Sequence, residues 1–157
     1  MSGAIVDLSR APPPPDLTAD VLIVGSGSAG ATAAWDLARA GRSVIVLEEG
    51  GDFTGTKLTQ RDGRMYDQLY MERGGRATAD LGIAVLQGRV LGGGGIINAA
   101  DVVPIPDGVL HLWATRWGLG GYTPEALEPF RRRALEDLSA NVPRPEQVNE
   151  NNALVRA

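Results

Sequence analysis

The run from Asp20 to Glu48 constrains the fold of this chain more than any other part of the sequence. It contains an apolar segment over 20–24, a small-residue segment over 28–40 and a second apolar segment over 43–48. Short β-branched runs are typical of strands buried on both faces. Strand, helix and strand in this order predict a βαβ unit with parallel strands, and so an α/β, Rossmann-like start of a parallel sheet. The helix face predicted to lie close to the sheet carries Ala29, Ala33, Leu37 and Ala40.

The segment between the first strand and the helix has the pattern GxGxxG, from Gly25 to Gly30. Gly25 allows a tight turn out of the strand, Gly27 lets the backbone approach a pyrophosphate, and Gly30 permits close packing of helix on strand. The helix N-terminus directs unpaired N–H groups and partial positive charge at such phosphates. A glycine-rich turn without a ligand is the alternative reading. The agreement of motif, strand and helix in order and spacing favours nucleotide binding.

An acidic residue ends the second predicted strand. Glu48 lies eighteen residues after Gly30, where a carboxylate accepts hydrogen bonds from the ribose hydroxyls of an adenosine. Its negative charge would repel a 2′-phosphate, which disfavours NADP. Glu49 is adjacent and could take this role instead, but Glu48 is preferred because it directly continues the strand. This first motif does not separate FAD from NAD.

A second glycine cluster extends from Gly88 to Asn98 and includes four successive glycines over 92–95. Such a backbone can lie flat against a planar or phosphate-bearing ligand. The amide of Asn98 can both donate and accept hydrogen bonds. A flexible loop is the alternative interpretation of this cluster.

The rest of the chain contains weaker patterns. A short helix is expected near 64–71, a strand or extended run over 81–86 and an extended run over 101–105, with the remainder of 49–80 mostly loop. A helix over 109–117 should end at Gly118. The most regular helix is predicted over 123–138, with Thr123 as its N-cap and Pro124 at its first position. The apolar stripe of that helix consists of Leu127, Phe130, Ala134 and Leu138.

Composition excludes several classes of function. The chain has no cysteine, which removes disulfides, thiolate metal sites and catalytic thiols and fits a cytoplasmic protein. A net charge of −4 without a long basic block argues against nucleic acid as a partner. No run approaches the ~20 apolar residues of a membrane span, and no secretory signal is visible. His111 is the only histidine, and as a lone histidine it is read as structural or exposed. We therefore predict neither a metal site nor a catalytic residue in this chain.

These motifs together resemble the glucose–methanol–choline (GMC) oxidoreductases, FAD enzymes that oxidise alcohols to carbonyls. The resemblance rests on DVLIVGSGSAG over 20–30, VLEEGG over 46–51 and GRVLGG over 88–93 followed by Asn98. Trp113 and the helix over 124–138 are also similar to the family. The sequence of residues 73–88 is most similar to the bacterial branch of the family, which resembles long-chain alcohol oxidases. The resemblance implies that 20–157 is the N-terminal part of an FAD-binding domain, preceded by a flexible proline-rich segment over 1–19.

The resemblance also assigns roles within an FAD site. The pyrophosphate would contact Gly25, Gly27, Ser28, Ala29 and Gly30. Glu48 would hold the adenosine ribose. The flavin-side half of the cofactor would lie along Arg89, Gly92, Gly93 and Asn98. The chain departs from the family at Gly94 and Gly95, where Ser or Thr is common, and after Asn98, where an aromatic often follows within a few residues.

Family members are several times longer than this chain, and their catalytic histidine and substrate domain belong to the C-terminal part. We therefore expect the fold to be incomplete without a C-terminal partner segment. A second polypeptide, from a split gene or a cleaved precursor, would carry that segment and the catalytic base for a small-molecule alcohol substrate. Alternatives are a stand-alone, non-catalytic FAD- or NAD-binding module with a regulatory or interaction role and a degenerate structural subunit.

Overall fold

A computed structural model describes residues 3–10, 12, 16–59 and 61–147. The chain divides into two compact units, Met1–Ala99 and Ala100–Ala157. The first contains the predicted βαβ unit: strand β1 (Val21–Val24), helix α1 (Ser28–Arg39) and strand β2 (Val44–Leu47). The strands pair in parallel, with Val21 opposite Val44 and Val24 opposite Leu47. The α/β prediction is therefore confirmed, with boundaries within one residue of those expected.

The prediction that these strands are buried on both faces is wrong. Leu22 is 59% exposed and Val24 82% exposed, whereas Ile23, which points to the opposite face, is half-buried. The reason is that α1 covers only one face of a two-stranded sheet. An apolar face of the sheet is therefore left open to solvent.

The face of α1 that meets the sheet also differs from the predicted one. Among the residues of the helix, the less exposed are Gly30, Ala34, Leu37 and Ala38. Ala29 and Ala33 are exposed, as is Ala40 just beyond the helix end. The close approach of Gly30 to the turn before the helix fixes the rotation of α1, and this places a neighbouring stripe of the helix against the strands.

The remainder of the first unit packs around helix α2 (Asp62–Leu69), which begins and ends two residues before the predicted helix. Its buried residues Met65 and Leu69 contact Val90, which is fully buried. Residues 70–88 form an antiparallel arm in which Ala77 bridges Ala84. The expected run over 81–86 is thus part of a loop with isolated bridges rather than a strand.

The second unit contains helices α3 (Asp107–Trp117) and α4 (Pro124–Asp137). As predicted, α3 ends at Gly118, which has a φ of +68°, and α4 begins after Thr123, whose side chain accepts a hydrogen bond from the N–H of Ala126 at 3.2 Å. The stripe on α4 is present but largely uncovered, and Phe130 is 69% exposed. Within this unit, α4 and residues 102–110 line an open apolar groove of about 790 Å³.

The proline run over 12–15 falls mainly outside the described residues, so the boundary at residue 19 stays a prediction. None of the helices in the described ranges combines the length and apolarity needed to cross a bilayer.

Candidate dinucleotide-binding site

The first glycine segment is a tight turn between β1 and α1. Gly25 has a φ of +90°, a conformation that glycine adopts without the strain of a Cβ atom. Its N–H still donates to the carbonyl of Leu47 at 2.7 Å, so the chain turns away at the very end of the sheet. A Cβ atom on Gly30 would lie 2.1 Å from the carbonyl oxygen of Gly25. The structural roles predicted for Gly25 and Gly30 are confirmed.

The N-terminus of α1 is open. Gly27 is its N-cap, and none of the described side chains caps it or places an acidic group in its first turn. The first intrahelical bond runs from Ala31 N–H to the Gly27 carbonyl at 2.8 Å, so the N–H groups before it have no acceptor within the helix. A Cβ atom on Gly27 would meet nothing within 4 Å. Exposed Ser28 and Ala29 complete a cradle of uncapped donors that fits a pyrophosphate.

Glu48 lies beside this turn and is tightly held. Its Oε2 accepts from the N–H of Ser26 at 2.9 Å and from the Ser26 hydroxyl at 2.6 Å. Its Oε1 accepts from the N–H of Gly50 at 2.8 Å. Glu49 points to solvent and is exposed. Of the two acids, only Glu48 is therefore fixed in place next to the glycine turn.

These contacts keep the Glu48 carboxyl ionised. Partial burial acts to raise its pKa, but the hydrogen bonds from the hydroxyl and N–H of Ser26 and from the N–H of Gly50 outweigh burial. The net result is a pKa below the ordinary glutamate value. A carboxylate rather than a neutral acid is thus available to accept hydrogen bonds from a ligand at neutral pH.

The second glycine segment lies directly on the first. Gly92 and Gly93 both have positive φ angles, +97° and +55°. A Cβ atom on Gly93 would lie 2.8 Å from the Cα of Gly27. The loop is anchored by Val90, which forms a parallel bridge with Gly51. Two stretches of sequence far apart in the chain therefore meet at the open end of α1.

The other predicted site residues are less closely joined. Arg89 is exposed, and its N–H donates to the Leu69 carbonyl at 2.7 Å. Asn98 is exposed and donates its Nδ2 to the carbonyl of Gly95 at 2.6 Å, which closes the end of the second glycine loop. His111 is exposed on α3, in the second unit.

Sequence reasoning missed Ser26. This residue is 6% exposed and lies between Gly25 and Gly27, and the GxGxxG pattern assigns a role only to the glycines. The parallel register contained the signal: Val24 pairs with Leu47, so the residues just after the two strands must be neighbours. A hydroxyl after one strand and an acid after the other are complementary.

Comparison with known proteins agrees with this geometry. A family model described as GMC oxidoreductase matches residues 19–157. An uncharacterized GMC-type oxidoreductase of Sinorhizobium fredii is 34% identical over 129 residues, covering 80% of this chain and 25% of that protein. A long-chain-alcohol oxidase of Arabidopsis thaliana is 38% identical over 97 residues, covering 62% of this chain and 13% of the plant protein. The chain thus spans a quarter or less of the length of these relatives.

Proposed function

This chain belongs to the GMC oxidoreductase family and corresponds to its N-terminal, FAD-binding domain; from that premise we propose that it is the FAD-binding chain of an enzyme that oxidises an alcohol to a carbonyl compound. The observation that carries the proposal is the open N-terminus of α1 beside an ionised, oriented Glu48. A relative named long-chain-alcohol oxidase supports an alcohol CH–OH group as the substrate class.

In this proposal the cofactor lies across both glycine segments. The first segment, with the N–H groups of Ser28, Ala29 and Gly30, holds the pyrophosphate. Glu48 accepts hydrogen bonds from the adenosine ribose. The flavin-side half is held by Arg89, Gly92, Gly93 and Asn98. When bound, the flavin supplies the acceptor for the hydride removed from the alcohol carbon, and the residues of this chain supply its position and electrostatic surroundings.

We assign no catalytic residue to this chain and propose that the base acting on the alcohol hydroxyl belongs to a C-terminal portion on a second polypeptide. Exposed apolar surfaces support such a partner. One sheet face presents Leu22, Val24 and Leu47 to solvent, and the groove beside α4 is equally open. Uncovered apolar faces and unpaired strand edges favour association.

An absorbance spectrum and an intact mass measurement on natively purified protein test the proposal together. Visible flavin absorbance and a larger co-purifying chain are the expected result, and they would justify an alcohol screen with the complex. Protein that is colourless, binds no added FAD and remains a folded single chain would contradict it and favour a stand-alone nucleotide-binding module.

A further inference from the structure

We propose that Ser26 is a positioning residue that couples the two halves of the FAD site; this inference rests on the proposed function. Its hydroxyl makes two hydrogen bonds in opposite directions. It donates to Glu48 Oε2 at 2.6 Å and accepts from the N–H of Gly92 at 2.9 Å. One side chain therefore connects the residue assigned to the adenosine ribose with the loop assigned to the flavin side.

The direction of this connection follows from hydrogen-bond chemistry. A backbone N–H can only donate and an ionised carboxylate can only accept, so the hydroxyl proton of Ser26 must point at Glu48. Ser26 is 6% exposed, which leaves little solvent to replace either partner. The hydroxyl is thus held at both ends, with its proton directed at Glu48 and a lone pair at the Gly92 N–H.

Removing the hydroxyl should affect the two halves of the cofactor differently. Glu48 would keep its bonds to the N–H groups of Ser26 and Gly50 but lose the shortest of its three contacts. The Gly92 N–H would lose its acceptor, and the second loop would lose one of the contacts that hold it against the first glycine segment. The affinity for ADP depends only on the change at Glu48, because ADP lacks the flavin half. The affinity for FAD depends on the changes at both Glu48 and the second glycine loop.

The chain offers a matched control at the opposite end of the same sheet. The hydroxyl of Ser43 donates to Asp20 Oδ2 at 2.8 Å and accepts from the N–H of Asp20 at 2.9 Å. Ser43 lies before β2, away from both glycine segments. Ser43→Ala therefore removes a serine that bridges a carboxylate and a backbone N–H without touching the proposed site.

The experiment is equilibrium titration with FAD and with ADP of natively purified protein, including any co-purifying chain, after removal of its cofactor. Ser26→Ala should weaken the binding of ADP about tenfold, the order of magnitude expected for one lost charge-assisted hydrogen bond. It should weaken the binding of FAD about a hundredfold, because a second contact is lost as well. Ser26→Thr, which keeps the hydroxyl, should recover most of both losses. Ser43→Ala should bind both ligands like the parent protein.

Three results would overturn the inference: equal weakening of FAD and ADP by Ser26→Ala, weakening of FAD alone, or no recovery in Ser26→Thr. If Ser26→Ala does not fold, Ser26→Cys replaces it, because the thiol preserves volume and is only a weak donor; the same pattern is then expected. A parent protein that binds neither FAD nor ADP would instead refute the proposed function, and the inference with it.

Discussion

Gly30→Ala tests how closely α1 must approach the glycine turn. The new Cβ atom would lie 2.1 Å from the carbonyl oxygen of Gly25 and 3.3 Å from Cγ2 of Ile23. Contacts below 3.0 Å are essentially never tolerated by a real Cβ atom, so the start of α1 must move away from β1 by about 1 Å. Overpacking of this kind costs about 1–3 kcal/mol. Better helix propensity of alanine returns up to about 1 kcal/mol.

A mid-range cost of about 2 kcal/mol, offset by up to about 1 kcal/mol, leaves a loss of about 1–2 kcal/mol, which corresponds to a decrease in Tm of roughly 2–8 °C for a chain of this size. Displaced N–H donors should also weaken FAD binding at least about tenfold. Gly108→Ala in α3 is the control, because its Cβ atom would meet nothing within 4 Å; it should raise Tm slightly and leave FAD binding unchanged. Thermal unfolding followed by circular dichroism and FAD titration measure both effects. If Gly30→Ala gains as much stability as Gly108→Ala and binds FAD normally, the reasoning fails.

The hydrogen bonds of Glu48 and of Thr123 can be tested by substitution. Glu48→Gln should weaken FAD binding about tenfold or more, because a charge-assisted hydrogen-bond acceptor is lost. Glu49→Gln, which alters an exposed neighbour, should leave FAD binding unchanged. Equal effects of the two substitutions in an FAD titration would show that Glu48 does not belong to the site. Hydrogen bonds lower the pKa of Glu48 below its ordinary 4.5, so the contribution of its carboxylate to stability is fully present above pH 4.5 and disappears as the pH falls through the lower pKa of the folded state. The unfolding free energies of the parent protein and of Glu48→Gln should therefore converge in acid. Parallel curves of unfolding free energy against pH would contradict this. Thr123→Ala should cost about 1 kcal/mol in urea unfolding through loss of the α4 cap, and Thr123→Ser should cost less.

The sequence was sufficient to predict the βαβ unit and the ends of the long helices. These features depend on local chemistry: β-branched runs, a glycine with a positive φ at 25, an αL glycine at 118 and a threonine cap at 123. Each of these features is determined by residues within a few positions of one another, so the amino-acid sequence alone is enough to identify it.

Burial and the side-chain contacts of the site were harder to predict. Burial of β1 on both faces was expected from its composition, but exposure depends on which other elements cover the sheet. Among the helices that the structure describes, α1 is the one that packs on it. The bond between Ser26 and Gly92 joins residues 66 positions apart, and no local pattern indicates such a pair. The assignment of individual residues to FAD stays a prediction, although the structure brings Gly27, Glu48 and Gly93 into one neighbourhood.

The 66-residue separation between Ser26 and Gly92 also bears on the order in which the chain acquires its structure. Pairing of β1 with β2 closes a loop of only about 20 residues, a small entropic cost, whereas docking of the second glycine loop closes a much longer one. During synthesis, β1, α1 and β2 are made before residue 92 is added, so the shorter loop can close first. The glycine turn and the Ser26–Glu48 hydrogen bond can therefore form before the second glycine loop has been synthesised, and the hydrogen bond from the Gly92 N–H to the Ser26 hydroxyl forms last.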